Sequence, residues 1–450
     1  MPDETKRNGF IEGLKLFVFV VLVAFLAFVA GGVSTYMKAP GVGDFMQRIS
    51  MVMFYLYESS VNTATFDPFW NPAHMPGPDG DNPVVLNDPA LAGKGYNLVV
   101  STHAQEASLI DMDGNPVHKW ARRFDEVWDK APQLPDYEEQ EPGYWADKIY
   151  WRRTHLFANG DILVVYETPT RTPYGLGLAK LDKDSNVIWK LDENVHHDIA
   201  VAPNGDIYLL GQSVNEKGYA DYPELTPPFI DDTIMIVSPD GAVRKELSVV
   251  QAFLNSQYAP FLALMNTNLL GDVMHTNAVE YIDAATAEKF GFAEEGYLLI
   301  SMREMNVIAV LDPEAERIVW AQTGLWQGQH EPLLLDNGRI MIFDNLGNRG
   351  DGGSTRIIEF DPAKGSIDWN FAGSAKEPLH SPVYGSIQRL ANGNTMIVES
   401  TNGRAIEVTA GGKVVWDFRS PHRKTEDGRE LVMPLMDVVR FAPDALTFLE

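Results

Sequence analysis

A histidine stands at one fixed place in two copies of a repeated strand pattern. His197 and His330 each lie seven residues before an Asn-Gly turn, which begins at Asn204 and at Asn337. A side chain repeated at one offset occupies one structural level, so the two imidazoles are expected to lie around a common axis. Imidazoles bind zinc when neutral, and they hold anions when they donate hydrogen bonds. The spacing therefore indicates a site.

The pattern around these histidines recurs six times between residues 96 and 416. Each copy reads as an apolar strand, a turn, two more apolar strands, a second turn and an outer strand. Five of the six copies end in Trp, namely Trp120, Trp189, Trp320, Trp369 and Trp416. A period of roughly 40–50 residues with about four strands is typical of propeller blades, whereas solenoids of hairpins, the alternative, have shorter repeats. We predict an all-β chain with a six-bladed β-propeller over residues 96–450.

Ring closure needs a strand that the first copy lacks, because nothing strand-like stands directly before Tyr96. The apolar C-terminal segment 436–441 has the composition to supply that strand. We expect it to pair with the first copy and close the ring.

A third histidine, His275, opens the corresponding strand of the fourth copy. Copies three, four and five are neighbours, so His197, His275 and His330 are expected to converge. Three neutral imidazoles would suit zinc. Arg303, at the end of the strand 297–301, favours an anion instead, because a cation weakens a metal site and stabilises a sulfuryl or phosphoryl group. We therefore expect no metal.

Two further histidines are weaker candidates. In an extended strand His196 would point away from His197, so only one of the pair is expected to face the axis. His380 lies in the loop that enters the sixth copy, and we expect it to reach the site.

These residues stand in segments that resemble the bacterial arylsulfotransferases, a family of six-bladed propellers, over about residues 95–420. The segments are short, but they occur in order and at corresponding places on the blades. They are 196–199 with 203–205, 272–277, 301–303 with Asn306, 328–330, and 344–345.

The resemblance implies transfer of a sulfuryl group from a phenolic sulfate ester to another phenol, outside the cytoplasm and without a cofactor. By position, His330 resembles the histidine that is sulfated. Arg303 and His275 match groups that hold the sulfuryl oxygens, and His197 or His196 matches a further donor. Asn277, inside one matching segment, and His380 complete the expected substrate contacts.

Composition narrows the possible partners. Lys and Arg number 36 against 62 Asp and Glu, a net charge of −26. Nucleic-acid binding needs a basic face, so a nucleic-acid partner is not expected. The chain has no cysteine, which removes disulfides, thiolate nucleophiles and thiolate metal ligands.

The N-terminus predicts a membrane anchor. No charged residue occurs from 16 to 33, and residues 16–37 are long enough to cross a bilayer once. Basic residues precede this segment, which predicts a cytoplasmic tail at 1–15 and a propeller on the periplasmic or extracytoplasmic side. A cleaved signal peptide is the alternative. Residues 38–95 read as an amphipathic helix followed by a linker.

A long apolar insertion, residues 248–274, reads as helical in two pieces around Pro260. It either walls the pocket or covers exposed blade surface. Three functions stay open: an aryl sulfotransferase, a non-catalytic propeller that assembles with a membrane-protein partner, and an enzyme with zinc on the three histidines.

Overall fold

The computed structural model divides the chain into two compact units, Met1–Asp67 and Pro68–Glu450. The described residues are 21–22, 25–31, 33, 69–78, 80–129, 148–169, 174–265, 271–348 and 353–450. In the first unit the described residues are helical. Within the described part of the chain, no helix combines the length and the apolar character that a membrane crossing needs. Most of the predicted anchor at 16–37, and the predicted amphipathic helix after it, lie outside the described residues.

In the second unit, most of the described regular secondary structure is antiparallel β-strand. The strands up to the middle of the chain are β1 Asn71–Pro72, β2 Val84–Asn87, β3 Tyr96–Ser101, β4 Glu106–Ile110, β5 Pro116–Ala121, β6 Tyr150–Leu156, β7 Ile162–Glu167, β8 Gly175–Leu181, β9 Val187–Leu191, β10 Val195–Val201, β11 Ile207–Asn215, β12 Phe229–Val237 and β13 Val243–Ser248. The later strands are β14 Thr276–Tyr281, β15 Leu298–Met302, β16 Val307–Asp312, β17 Arg317–Thr323, β18 His330–Leu334, β19 Ile340–Asp344, β20 Arg356–Asp361, β21 Ser366–Phe371, β22 Ser386–Arg389, β23 Thr395–Glu399, β24 Arg404–Val408, β25 Val414–Arg419, β26 Arg423–Glu426, β27 Arg429–Val432 and β28 Leu435–Phe441.

Helices are few and short in the described part of the second unit. The second unit has two α-helices in its described residues, α1 Val249–Leu254 and α2 Ala284–Ala287. Four 3-10 helices span Phe124–Glu126, Ala259–Leu264, Ser400–Asn402 and Thr447–Leu449. The insertion at 248–274 thus contains α1 and a 3-10 helix that includes Pro260.

Six sheets follow one another and close into a ring. Five of them are strand hairpins in simple order, β6 to β9, β10 to β13, β14 to β17, β18 to β21 and β22 to β25, and β2 adds an outer strand to the last. The C-terminal strand β28 pairs with β3 and completes the first sheet, which confirms the predicted closure. The innermost strands contact each other in the cyclic order β28, β6, β10, β14, β18, β22 and back to β28. This arrangement is a propeller of six blades.

The repeated tryptophans fasten one blade to the next. Four of the five donate an indole hydrogen bond to a backbone carbonyl of the following blade, at 3.0 or 3.1 Å. The pairs are Trp120 to Gly160, Trp189 to Pro239, Trp369 to Ala410 and Trp416 to Met112. The outer strands therefore carry Trp for contacts between blades, in addition to its apolar area.

A β-bulge interrupts five of the six innermost strands at the same end. The register shifts lie in β6, β10, β14, β18 and β28. Two residues beside these shifts have left-handed backbones, His197 at φ 56° and Glu331 at φ 45°, and so does His275 at φ 53°. A bulge bends its strand and redirects side chains, so these positions do not follow strand alternation. The bulges therefore determine which side chains of the innermost strands face the axis.

Candidate anion-binding site

The candidate site lies where the innermost strands of blades three, four and five begin. His197 sits in the bulge of β10, His275 directly precedes β14, and His330 opens β18. The three strands start from the same face of the ring because each is the first strand of its blade. Their first residues therefore share one level along the axis.

His196, His197 and His275 form a contiguous group. The Nδ1 atoms of His196 and His197 are 2.7 Å apart, so one ring donates to the other. The rings of His197 and His275 have centroids 4.9 Å apart and are nearly perpendicular. The two rings therefore lie close together, against the expectation that strand alternation would send them to opposite faces. The left-handed backbone of His197 breaks the alternation on which that expectation relied.

His275 is paired with a carboxylate. Its Nδ1 lies 2.7 Å from Oδ2 of Asp272, which also accepts a hydrogen bond from the Tyr174 hydroxyl at 3.1 Å. Burial disfavours the imidazolium, but the charge of Asp272 and its hydrogen bond outweigh burial and raise the pKa of His275 above its usual value. His275 is thus the imidazole of the group that carries a proton most readily.

The ring of His330 is held in one tautomer. Its Nδ1 is 2.8 Å from Oδ1 of Asn345. The amide nitrogen of Asn345 donates to the carbonyl oxygens of Ser381 and Tyr384, at 2.7 and 2.6 Å, which fixes the amide orientation. Oδ1 can only accept, so Nδ1 of His330 must carry the proton. The lone pair of the neutral ring is consequently on Nε2.

Three imidazoles of the site are kept neutral at physiological pH. Burial, aided by the charge of Arg303, lowers the pKa of His330 well below its usual value. Burial, aided by Arg152, does the same to His197, and burial lowers the pKa of His196 to about 3. His330 therefore keeps an unprotonated nitrogen available.

Arg303 adjoins the group through the backbone of blade four. Its amide N–H donates to the carbonyl of His275 at 3.0 Å, and its guanidinium is paired with the carboxylate of Glu304. A Cβ built on Gly328, two residues before His330, would lie 4.0 Å from Nη2 of Arg303. The guanidinium thus extends from blade four toward the segment that leads to His330.

A second arginine was missed by the sequence reasoning. Arg152, in β6 of blade two, is 5% exposed, and its Nε lies 3.7 Å from Oε2 of Glu167. Glu167 also accepts hydrogen bonds from the Tyr150 hydroxyl and the His197 amide, at 3.1 and 2.5 Å. The signal was present, because Arg152 stands seven residues before Asn159-Gly160, the same offset that singled out His197 and His330.

Asn277 and His380 occupy other places. The side chain of Asn277 donates to the carbonyl of Gln329 at 2.8 Å, so it braces the backbone directly before His330. The ring of His380 packs against His74, with centroids 4.4 Å apart, and its Nδ1 is 3.3 Å from the Ser354 hydroxyl. The structure brings His380 together with these residues and not with the histidine group.

A cluster of charged residues follows directly after the site residues on the innermost strands. Arg153 binds Asp198 at 2.7 Å and Asp437 at 2.9 Å, and it also pairs with Glu331 of blade five. Because blade two is opposite blade five in the ring, this arginine spans the channel. A cavity of about 310 Å³, lined by Arg153, Glu331 and Glu280 among others, lies on the side of the Asn-Gly turns.

Among the described residues, one trio of His and acidic side chains is close enough for a metal ion. Glu167, His196 and His197 place one ligand atom each within 4.8 Å of one another. This trio differs from the set His197, His275 and His330 that the zinc alternative requires. The two imidazoles are already joined by a hydrogen bond, and Arg152 lies beside the carboxylate. The donor set suits an anion better than a cation.

Fold and site together define a class: a propeller whose axis holds a buried cluster of imidazoles and guanidinium groups. The arylsulfotransferase (ASST) family model matches residues 153–421, more than half of the chain. The chain belongs to the arylsulfotransferase family. The predicted family is therefore confirmed, and the chain is an arylsulfotransferase-like propeller.

Other similarities are distant. No curated protein matches the chain significantly. A protein of unknown function from Bacteroides caccae has a TM-score of 0.45 at 12% identity, covering 73% of this chain and 94% of its own. Virginiamycin B lyase from Staphylococcus aureus has a TM-score of 0.38 at 11% identity, covering 79% and 98%. The strand pairing by itself defines the propeller fold.

Proposed function

We propose that the chain is an aryl sulfotransferase that works through a sulfated His330. The observation that carries the proposal is the hydrogen bond from Nδ1 of His330 to Asn345. It leaves the lone pair on Nε2, in a ring whose pKa is lowered, beside imidazole and guanidinium groups. A neutral nitrogen next to cations is what attack on a sulfate ester requires.

The reaction has two balanced steps. In the first, the Nε2 lone pair forms a bond to sulfur, and the bond from sulfur to the phenolic oxygen breaks. The electron pair leaves with the phenolate, which takes a proton from His275. In the second, an acceptor phenol returns a proton to His275 while its oxygen attacks sulfur, and the N–S bond breaks to restore Nε2. Donor groups around the sulfuryl oxygens stabilise the charge that develops in each step.

The test is transfer from 4-nitrophenyl sulfate to phenol. Nitrophenolate release is expected to require phenol and to vanish in His330→Ala, while Arg244→Met serves as a matched control. Arg244 is 54% exposed on the outer strand of blade three and pairs with Asp206. Wild-type protein that releases no nitrophenolate with a panel of phenols would contradict the proposal, and co-purification with a membrane complex would then favour a non-catalytic subunit.

We also propose that residues 16–37 anchor the chain in a membrane, with the propeller on the extracytoplasmic side. The support is the run without charge at 16–33 and the basic residues before it. The full chain should stay with membranes after an alkaline wash. Recovery in the soluble fraction would contradict the anchor.

A further inference from the structure

The candidate site contains a guanidinium that no side chain of the described residues engages by a hydrogen bond. Arg152 is nearly fully buried, and its Nε is without a hydrogen-bond partner in the described part of the chain. Its nearest charge is Glu167, at 3.7 Å, beyond hydrogen-bond distance. Arg303, by contrast, is already paired with Glu304. A buried guanidinium without hydrogen bonds is costly unless a ligand completes it.

The surroundings of Arg152 point to the site of transfer. Glu167, the ion partner of Arg152, accepts a hydrogen bond from the His197 amide. The carbonyl of Tyr384 accepts one from Asn345, the partner of His330. The charge of Arg152 also contributes to the lowered pKa values of His197 and His330. The guanidinium also lies over the Tyr384 ring, 5.3 Å from the centroid. The neighbouring Arg153 reaches Glu331, the residue after His330, directly across the channel. Arg152 and His330 therefore belong to facing blades, at the same end of the channel.

The repeat supports the same placement independently. Arg152, His197 and His330 each stand seven residues before an Asn-Gly turn, in blades two, three and five. In β6 and β10 this position falls within the bulge that redirects side chains, and in β18 it is the last residue before the bulge. The same structural level thus supplies two imidazoles and one guanidinium.

We propose that Arg152 is a substrate-binding residue that holds the tetrahedral oxyanion of the bound ester on the side opposite His330. A guanidinium presents several N–H donors in one plane and binds two oxygens of such a group at once. The ligand is a sulfate or phosphate monoester, whose charged ends share this geometry. The inference rests on the proposed function only for what happens to the ester after it binds. Binding itself does not require sulfuryl transfer.

Binding is measured in the His330→Gln variant, which lacks the nucleophile, by titration calorimetry with 4-nitrophenyl sulfate and, in parallel, 4-nitrophenyl phosphate. Adding Arg152→Met to this variant is expected to weaken binding of the preferred ester about 10- to 100-fold. Arg152→Lys should recover part of the affinity, because it restores charge without the planar fork. Arg244→Met, in the same background, should leave binding unchanged.

A second variant distinguishes lost binding from lost folding. It is needed because Arg152→Met leaves the Glu167 carboxylate buried beside an apolar side chain. The double variant Arg152→Met with Glu167→Gln removes both charges, and its melting temperature shows whether it is folded. A folded double variant that binds either ester as tightly as the His330→Gln parent overturns the proposal. So does a folded parent that binds neither ester.

The outcome separates the two proposals. If wild-type protein transfers no sulfuryl group but the parent binds the ester through Arg152, the proposed function fails and the binding role stands. If kcat/KM for transfer is unchanged in Arg152→Met, the binding role fails and the proposed function stands.

Discussion

At the scale of single residues, Asn345 decides which nitrogen of His330 can react. It contacts His330 and two backbone carbonyls, so its influence on the reaction passes through the imidazole. Asn345→Ala is expected to lower kcat about 10- to 100-fold and to change KM little, because the ring loses its fixed tautomer while the donor groups remain. Steady-state kinetics with 4-nitrophenyl sulfate check this. A change confined to KM would show that Asn345 serves binding alone.

Asp272 sets the protonation of His275. Its carboxylate raises the pKa of His275 against the effect of burial. If charged His275 supplies the proton to the leaving phenolate, activity is lost as pH rises through that raised pKa. Asp272→Asn removes the charge, so the pKa falls and the basic limb of the rate profile should move to lower pH by about one unit or more. A basic limb that stays in place, whatever the rate, would exclude His275 as the proton donor.

At the scale of elements, the turn between the third and fourth strands of each blade requires one residue with a left-handed backbone. Four blades place a glycine with a left-handed backbone there, at Gly114, Gly241, Gly365 and Gly412. Blade four has Glu316 at φ 51°, and blade two has Ser185 at φ 66°. A residue with a Cβ is strained in this region. The turn therefore stores strain in two of the six blades.

Replacing Glu316 with glycine should relieve that strain. Glu316→Gly is expected to stabilise the protein by roughly 0.5–1 kcal/mol, since glycine adopts this backbone without the steric cost. The side chain forms a surface pair with Lys245, which contributes little. The midpoint of urea unfolding measures the gain. Glu314→Gly in the same turn, where φ is not left-handed, is the control and should destabilise the protein. Equal effects of the two changes would contradict the assignment of strain to Glu316.

At the scale of the whole molecule, buried carboxyl groups couple stability to pH. Burial raises the pKa of Glu280 and of Glu331 to about 8. At Glu331, three carboxylates share the single guanidinium of Arg153, so their mutual repulsion adds to burial. The folded state therefore holds protons that the unfolded chain releases near its ordinary pKa. Stability from these groups is present below that ordinary pKa and is lost as pH rises through about 8.

The melting temperature should consequently fall by several degrees between pH 7 and pH 9. Histidines with lowered pKa values do not contribute there, because they are neutral in both states above pH 7. Glu280→Gln keeps the shape of the side chain but does not ionise, so it should flatten part of the fall. Thermal unfolding at constant ionic strength is the measurement. A melting temperature that rises over this interval would show that Glu280 and Glu331 are already ionised in the fold.

Much of the fold could be predicted from the sequence because a propeller repeats its signals. The Asn-Gly turns and the terminal tryptophans mark most of the blades, and the segment 436–441 supplies the strand that the first copy lacks. The histidines could be found because His197 and His330 share an offset. Arg152 shares it as well, so the offset marks a structural level and not a residue type. The hydrogen-bond partners of His330 and His275 could not be found this way. The roles of Asn345 and Asp272 follow only from their contacts with these rings in the folded chain.

The sequence by itself determined the number of repeats, the family and the level at which His197, His275 and His330 lie, because these depend on local pattern and period. Only the tertiary structure decided how the side chains meet. A bulge brought the rings of His196 and His197 close together, Asn345 selected the tautomer of His330, and Arg152 reached the candidate site from the opposite blade. Such features depend on backbone angles and on contacts between blades far apart in the chain, which periodicity does not encode.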